Sequence, residues 1–239
     1  MKQSLMFAFF LLSFVLCPSS FIVMPDFPAA SASMVQHQLA SRGVRDQRVL
    51  QAMGRVRREA FIPQSLAGEA YADCALPIDC SQTISQPIIV ALMTEALQLS
   101  GDEKVHEIGT GCGYQAAILA ELAAAVFSIE RHAELAQQAK ERLRELGYQN
   151  VFVRTGDGSL GWPEEAPFDR IIVTAAAEKC PPPLWQQLRE GGVLVGPFGP
   201  AYEQALYAMH KIGGNPQSRI LTGCRFVPLI TETTPASAK

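Results

Sequence analysis

At 239 residues, 48% of them hydrophobic and 18% charged, the chain has the composition of a globular protein with one sizeable domain, which excludes disordered and fibrous classes. A formal net charge of −3, with no long lysine or arginine run, removes the electrostatic footprint of a nucleic-acid binder. Arg55, Arg57 and Arg58 form the one basic cluster and read as a solvated helix face, while the six cysteines, none in a C-x-x-C pair, read as reduced thiols with no metal site expected.

The first 33 residues carry Lys2, an apolar stretch from Leu5 to Leu16, Cys17-Pro18-Ser19-Ser20, a second short apolar run to Met24, and small residues from Ala29 to Ser33. They resemble a secretory signal with Ala30-Ser31-Ala32 as its cleavage site; the alternative is an upstream start codon with Met34 as the working start. From Val35 to Arg58, Leu39, Val49, Leu50, Met53 and Val56 fall at helical spacing, and Gly43 divides the stretch into two short helices. Residues Phe61 to Pro87, with three prolines and no sustained period, read as an ordered surface segment. A helix over Ile88 to Leu97 follows Pro87.

After Gly101 short apolar runs alternate with amphipathic helices. Strands are predicted at Val105–Ile108, Val126–Ile129, Val151–Arg154, Arg170–Thr174 and Val193–Val195, and helices at Tyr114–Ala124, Ala133–Leu146 and Pro182–Arg189. Such βα repeats imply an α/β fold with a doubly wound, mostly parallel sheet. Gln204–His210 and Ile220–Val227, joined through Gly213-Gly214-Asn215-Pro216, read as closing antiparallel strands.

The segment Glu107-Ile108-Gly109-Thr110-Gly111-Cys112-Gly113-Tyr114-Gln115 places glycines at alternate positions where a buried strand turns into a helix. Gly109, Gly111 and Gly113 permit a tight turn and close backbone approach to a ligand, and the helix start offers free N–H groups. The spacing is G-x-G-x-G rather than the dinucleotide G-x-G-x-x-G, which points to an adenosyl group without pyrophosphate and argues against a dehydrogenase. Glu130 ends the next strand, about 20 residues on, where a carboxylate accepts ribose hydroxyls in such folds. Asp157 and Gly158 end the third; Asp157 suits an exocyclic amine of adenine, or equally a turn cap. His106 reads as a satisfied core histidine.

Ahead of the glycine turn, Ala70-Tyr71-Ala72-Asp73, Leu76-Pro77-Ile78 and Ser81-Gln82-Thr83-Ile84-Ser85-Gln86-Pro87 resemble the protein-L-isoaspartate (D-aspartate) O-methyltransferase family. The later stretches Gly156-Asp157-Gly158, Phe168 to Ala176, Leu188 to Gly192 and Arg225-Phe226-Val227-Pro228-Leu229 resemble it too. The resemblance implies a Rossmann-like S-adenosylmethionine-dependent methyltransferase with an N-terminal helical cap. The cofactor would be held by Glu107, Gly109, Thr110, Gly111, Gly113, Glu130, Asp157 and Gly158, and isoaspartyl substrate by Thr83, Ile84, Ser85 and Val227. It matches Ser85 to the family's catalytic position; the residues alone read Ser85 as a helix N-cap. Asp79 and Ser81 stand where the family usually has glycines, so this substrate-side loop is expected to be shaped differently.

The implied organisation is an extension over 1–33, a helical and substrate-loop region over 34–100, a methyltransferase core over 101–230 and a tail over 231–239. The expected partners are isoaspartyl proteins and peptides, with no nucleic acid and no metal. The resemblance suggests a monomer, and the cytosolic methyl donor suggests the cytoplasm; export or membrane tethering would follow if residues 1–33 are a functional signal. Competing readings are a methyltransferase for another acceptor and a catalytically silent methyltransferase-like binding module.

Overall fold

The computed structural model describes residues 26–231. The apolar run from Leu5 to Leu16 and all of the tail but residue 231 lie outside the described residues. Helix α1 (Phe27–Ser33) is capped by Asp26, whose carboxylate accepts from Ala29 N. It passes without a break into a helical turn over Met34–Leu39, so the folded unit begins upstream of the boundary drawn at Met34. Ser31 Oγ donates to Gly54 O in α2 (Gln47–Arg55), and Met34 is fully buried. Gly43, at φ 101°, separates the two helical stretches as expected.

The segment from 61 to 87 is more regular than its sequence suggests. Short 3-10 turns lead into a two-stranded antiparallel pair, β1 (Leu76–Pro77) and β2 (Thr83–Ile84). Strands this short carry no readable periodicity. Helix α3 (Pro87–Ala96) follows, with Pro87 in its first turn and Gln86, not Ser85, at the N-cap.

The core alternates β3 (Lys104–Ile108), α4 (Tyr114–Ala120), β4 (Ala125–Glu130), α5 (Ala133–Glu145), β5 (Val151–Thr155), β6 (Phe168–Val173), α6 (Pro182–Gln187), β7 (Leu188–Phe198), β8 (Ala205–Ile212) and β9 (Asn215–Gly223). The sheet order is β5-β4-β3-β6-β7-β8-β9, parallel from β5 through β7 and antiparallel beyond. The chain winds outward from β3 to β5 and returns to β6 on the other side of β3, which makes the β3/β6 boundary the switch point where open α/β sheets bind ligands.

Both faces of the central strands are covered, which explains their continuous apolar runs. Val105, Val126, Ile172, Val193 and Val195 face the larger core with α2, α3 and α4, while Ile108, Phe127, Ile171, Val173 and Leu194 face a second core closed by Leu184 of α6. Each such side chain contributes about 1.5–3 kcal/mol on burial.

β7 runs over Leu188–Phe198 rather than Val193–Val195 alone, and three further boundaries differ from expectation for local reasons. α4 stops at Ala120 because Asn150 Nδ2 donates to the carbonyls of Ala120 and Ala123, taking over the helix end. α6 ends before Leu188, which pairs with Phe168 in the sheet. The closing hairpin turns tightly at Gly213 and Gly214 (φ 57° and 78°), so pairing resumes at Asn215 and the strand spans Asn215–Gly223 rather than Ile220–Val227. Pro216 is tolerated because β9 is an edge strand.

Candidate active site

A cavity of about 590 Å³ opens at the C-terminal ends of the parallel strands, within the range of small-molecule sites. One wall is the glycine turn. Gly109 and Gly111 hold φ values of 95° and 54°, and a Cβ at Gly109 would lie 2.4 Å from Thr174 Oγ1. Both glycines line the cavity with Thr110, whereas Gly113, at φ 91°, faces away and packs under Leu143 and Ala139 of α5. The turn is therefore half ligand cradle and half packing device.

Glu130 ends β4 at the cavity, 6% exposed, and its carboxylate accepts from Gly111 N and His132 N, both at 2.9 Å. These two bonds fix the acid in position and leave lone pairs for a diol, since a carboxylate offers about four acceptor sites. Gly158 lines the cavity, and a Cβ there would meet Ile108 Cγ2 at 2.4 Å. Asp157 caps the turn after β5: its Oδ1 accepts from Ser159 N at 2.8 Å and Ser159 Oγ at 2.7 Å, as the capping alternative foresaw.

Glu107 is not at the cavity surface. It is fully buried behind the turn, where Ser128 Oγ donates to Oε2 at 2.5 Å and a further hydrogen bond links Ser128 to Thr110 Oγ1. Burial first, and then the neighbouring Glu130 charge, push its carboxyl up to about 8 against the opposing Ser128 bond, so it is mostly protonated at neutral pH. Oε1 has no hydrogen-bond partner among the described residues. His106 is only half satisfied: Nδ1 donates to Phe127 O at 2.7 Å, Nε2 has no described partner, and burial pulls the imidazole down to about 4. It is neutral and stacked on Phe168 at 4.5 Å.

The opposite wall is formed by residues 80–85 and 227–230, which bring Thr83, Ile84, Ser85 and Val227 to the same cavity as the glycine turn. Ile84 is held by pairing with Leu76, and Ile78 N donates to Gln82 O at 2.9 Å. Val227 arrives from the far end of the chain: Ala176 N donates to Val227 O at 2.8 Å, and Leu229 N donates to Ala176 O at 2.6 Å. Cys80 and Ser81 both adopt left-handed φ (55° and 56°), which is why glycine suits this loop and why Asp79-Cys80-Ser81 gives it a strained form. The Ser85 hydroxyl has no hydrogen-bond partner among the described residues, whereas its carbonyl accepts from Arg58 Nη2 at 2.8 Å. Arg58 itself is fully buried, which corrects its assignment to a solvated face.

Thr174, Arg131, His132, Met93 and Gln115 also line the cavity and were not singled out from sequence. Thr174 follows β6, so the strand-end rule that found Glu130 and Asp157 reaches it one strand later. The five cysteines among the described residues are free thiols, and no cluster of those residues suits a metal ion.

The family model described as protein-L-isoaspartate(D-aspartate) O-methyltransferase matches residues 30–234. The chain belongs to this family. A relative from Syntrophobacter fumaroxidans, named protein-L-isoaspartate O-methyltransferase 1, is 53% identical over 207 residues, covering 87% of this chain and 97% of its own. The Dictyoglomus turgidum relative, named protein-L-isoaspartate O-methyltransferase, is 56% identical over 191 residues, covering 80% and 87%. A solved protein-L-isoaspartate O-methyltransferase superposes with a TM-score of 0.74 at 29% identity, over 83% of this chain and 65% of that one. A Plasmodium falciparum structure described under the same enzyme name, in complex with S-adenosyl-L-homocysteine, gives 0.73 at 25% identity, over 84% and 98%. The family is S-adenosylmethionine-dependent, and its members are carboxyl methyltransferases. The glycine cradle, where a side chain at Gly109 would strike Thr174, and the buried Glu130 carboxylate fit an adenosyl ligand.

Proposed function

We propose that the enzyme methylates the free α-carboxylate of L-isoaspartyl residues, and the side-chain carboxylate of D-aspartyl residues, in damaged proteins, with Ser85 orienting the acceptor. The observation carrying this reading is that one cavity joins the glycine turn to Thr83, Ile84, Ser85 and Val227. Glu130 would accept the ribose hydroxyls, the Gly109–Gly111 backbone would lie against the methionyl portion, and Asp157 and Gly158 would border the adenine.

S-adenosylmethionine supplies an electrophilic methyl group on a sulfonium. An acceptor carboxylate of pKa about 4 is already ionised at neutral pH, so this site needs no general base. The remaining task is orientation, which the Ser85 hydroxyl performs by donating to one carboxylate oxygen while the other faces the methyl group. A new C–O bond forms as the S–CH₃ bond breaks. The resulting ester loses methanol when the following backbone nitrogen attacks it, and the succinimide hydrolyses in part to normal aspartate without the enzyme.

Labelled S-adenosylmethionine offered with an isoaspartyl peptide and its normal aspartyl twin tests the reading. Base-labile label in the isoaspartyl peptide alone is expected; label in both or neither overturns it. We place the enzyme in the cytoplasm, because its methyl donor is a cytosolic metabolite, and take it as a monomer from its likeness to the family. Among the described residues no helix is long and apolar enough to cross a membrane. Fractionation with N-terminal sequencing would overturn this placement by finding protein cut near Ala32 outside the cytosol.

A further inference from the structure

Arg58 is a fully buried guanidinium without a carboxylate within salt-bridge distance among the described residues. Its neighbour Glu59 is engaged elsewhere, accepting from Tyr71 Oη at 2.5 Å. Nε donates to Ala70 O at 2.7 Å, Nη2 donates to Ser85 O at 2.8 Å, and the guanidinium carbon lies 4.8 Å from the ring centroid of Tyr114. Nη1 is buried with no partner among the described residues. Removing a cation from water is strongly unfavourable unless a counter-charge compensates it. Two backbone carbonyls and a ring face compensate only part of that cost.

The two groups that Arg58 grips on the cavity side belong to opposite walls. Ser85 stands on the substrate wall, and Tyr114 begins the helix after the glycine turn; both line the cavity. Among the described residues no cationic side chain lines the substrate wall itself, where the lining runs through residues 80–85 and 227–230. Arg58 does not itself line the cavity, but it donates to the Ser85 carbonyl at 2.8 Å and lies 4.8 Å from the Tyr114 ring centroid, so its charge stands directly behind two groups of the lining.

We propose that Arg58 is a positioning and specificity-determining residue: it fixes the Ser85 peptide and, from directly behind that peptide, supplies the uncompensated positive charge that favours an anionic acceptor over a neutral one. The proposal rests on the carboxyl-methylation reading above. It explains how a site without a substrate-side cation in its lining can favour a carboxylate over its neutral amide.

The test compares binding of an isoaspartyl peptide with that of the same peptide carrying a carboxamide in place of the free carboxylate, both in the presence of S-adenosylhomocysteine. In Arg58→Gln the carboxylate peptide should weaken about tenfold, while the carboxamide peptide and S-adenosylhomocysteine stay within about twofold of wild type. Parallel weakening of both peptides, or of neither, overturns the proposal, because a merely structural arginine cannot distinguish them. Should Arg58→Gln fail to fold, Arg58→Lys and Arg58→Met provide the measurement: preference for the carboxylate kept with lysine and lost with methionine supports the proposal, and the same preference in both sinks it. Labelling of the isoaspartyl peptide by wild-type enzyme is measured first, so failure of the proposed reaction is separate from failure of Arg58's role.

Discussion

The two walls of the cavity are built on different principles. The cofactor wall stands on the ends of β3, β4, β5 and β6, where each strand is paired on both sides or followed by a capped turn, and its acid is pinned by two backbone N–H groups. The substrate wall is assembled from two-residue strands, consecutive left-handed residues and a segment hooked onto Ala176. Binding a common cofactor tolerates a rigid, generic frame, whereas admitting the side of a damaged protein requires a wall that the sheet does not dictate.

Substitutions on either side sharpen this contrast. The largest effect is expected on the substrate wall: Ser85→Ala should cut methyl transfer about a hundredfold while S-adenosylhomocysteine affinity stays unchanged, and unchanged turnover would remove Ser85's assigned role. Gly109→Ala should do the reverse. Its Cβ would meet Thr174 Oγ1 at 2.4 Å with φ at 95°, so loss of cofactor affinity by more than tenfold is expected in a titration. A stability loss of about 2–3 kcal/mol should accompany it in denaturant unfolding.

Glu107→Gln probes the frame behind the cofactor wall. The carboxyl of Glu107 is raised by folding, so its contribution to stability is complete below the unfolded value near 4.5 and is lost as pH rises through about 8. The glutamine variant lacks that loss, and its melting temperature should gain on wild type progressively from pH 5 to pH 9. A constant difference across that range would show that Glu107 does not titrate as described. The smallest effect belongs to Ser81→Gly, which relieves left-handed strain at φ 56° but adds unfolded-chain entropy; the net rise in melting temperature should be about 1–2 °C.

The same contrast governs what could be read from sequence. Gly109, Gly111 and Glu130 were legible because parallel strands impose apolar runs, glycine corners and a fixed offset to the next strand end. The substrate wall has no such grammar. Val227 reaches the cavity through hydrogen bonds to Ala176, some fifty positions away, and only its likeness to a known family pointed to it. Arg58 was misread for a related reason. Nothing local shows that its head group will be enclosed by carbonyls at Ala70 and Ser85, so a cluster of arginines looks like surface. Glu107, Gly113 and Asp157 were found by their motifs, yet their side-chain environments, buried, packed and capping, depend on β4, α5 and the turn after β5.

The cysteine in the glycine turn bears on the enzyme's own durability. A sulfonium methyl is open to any strong nucleophile, and a thiolate attacks such carbon centres more readily than a carboxylate does. Cys112 and Cys80 both line the cavity. Burial pushes the Cys112 thiol up, and desolvation followed by the nearby carboxylates of Glu134 and Asp79 does the same for Cys80. Both sulfurs therefore stay protonated and poorly nucleophilic, and the methyl group is reserved for the visiting carboxylate instead of being spent on self-alkylation.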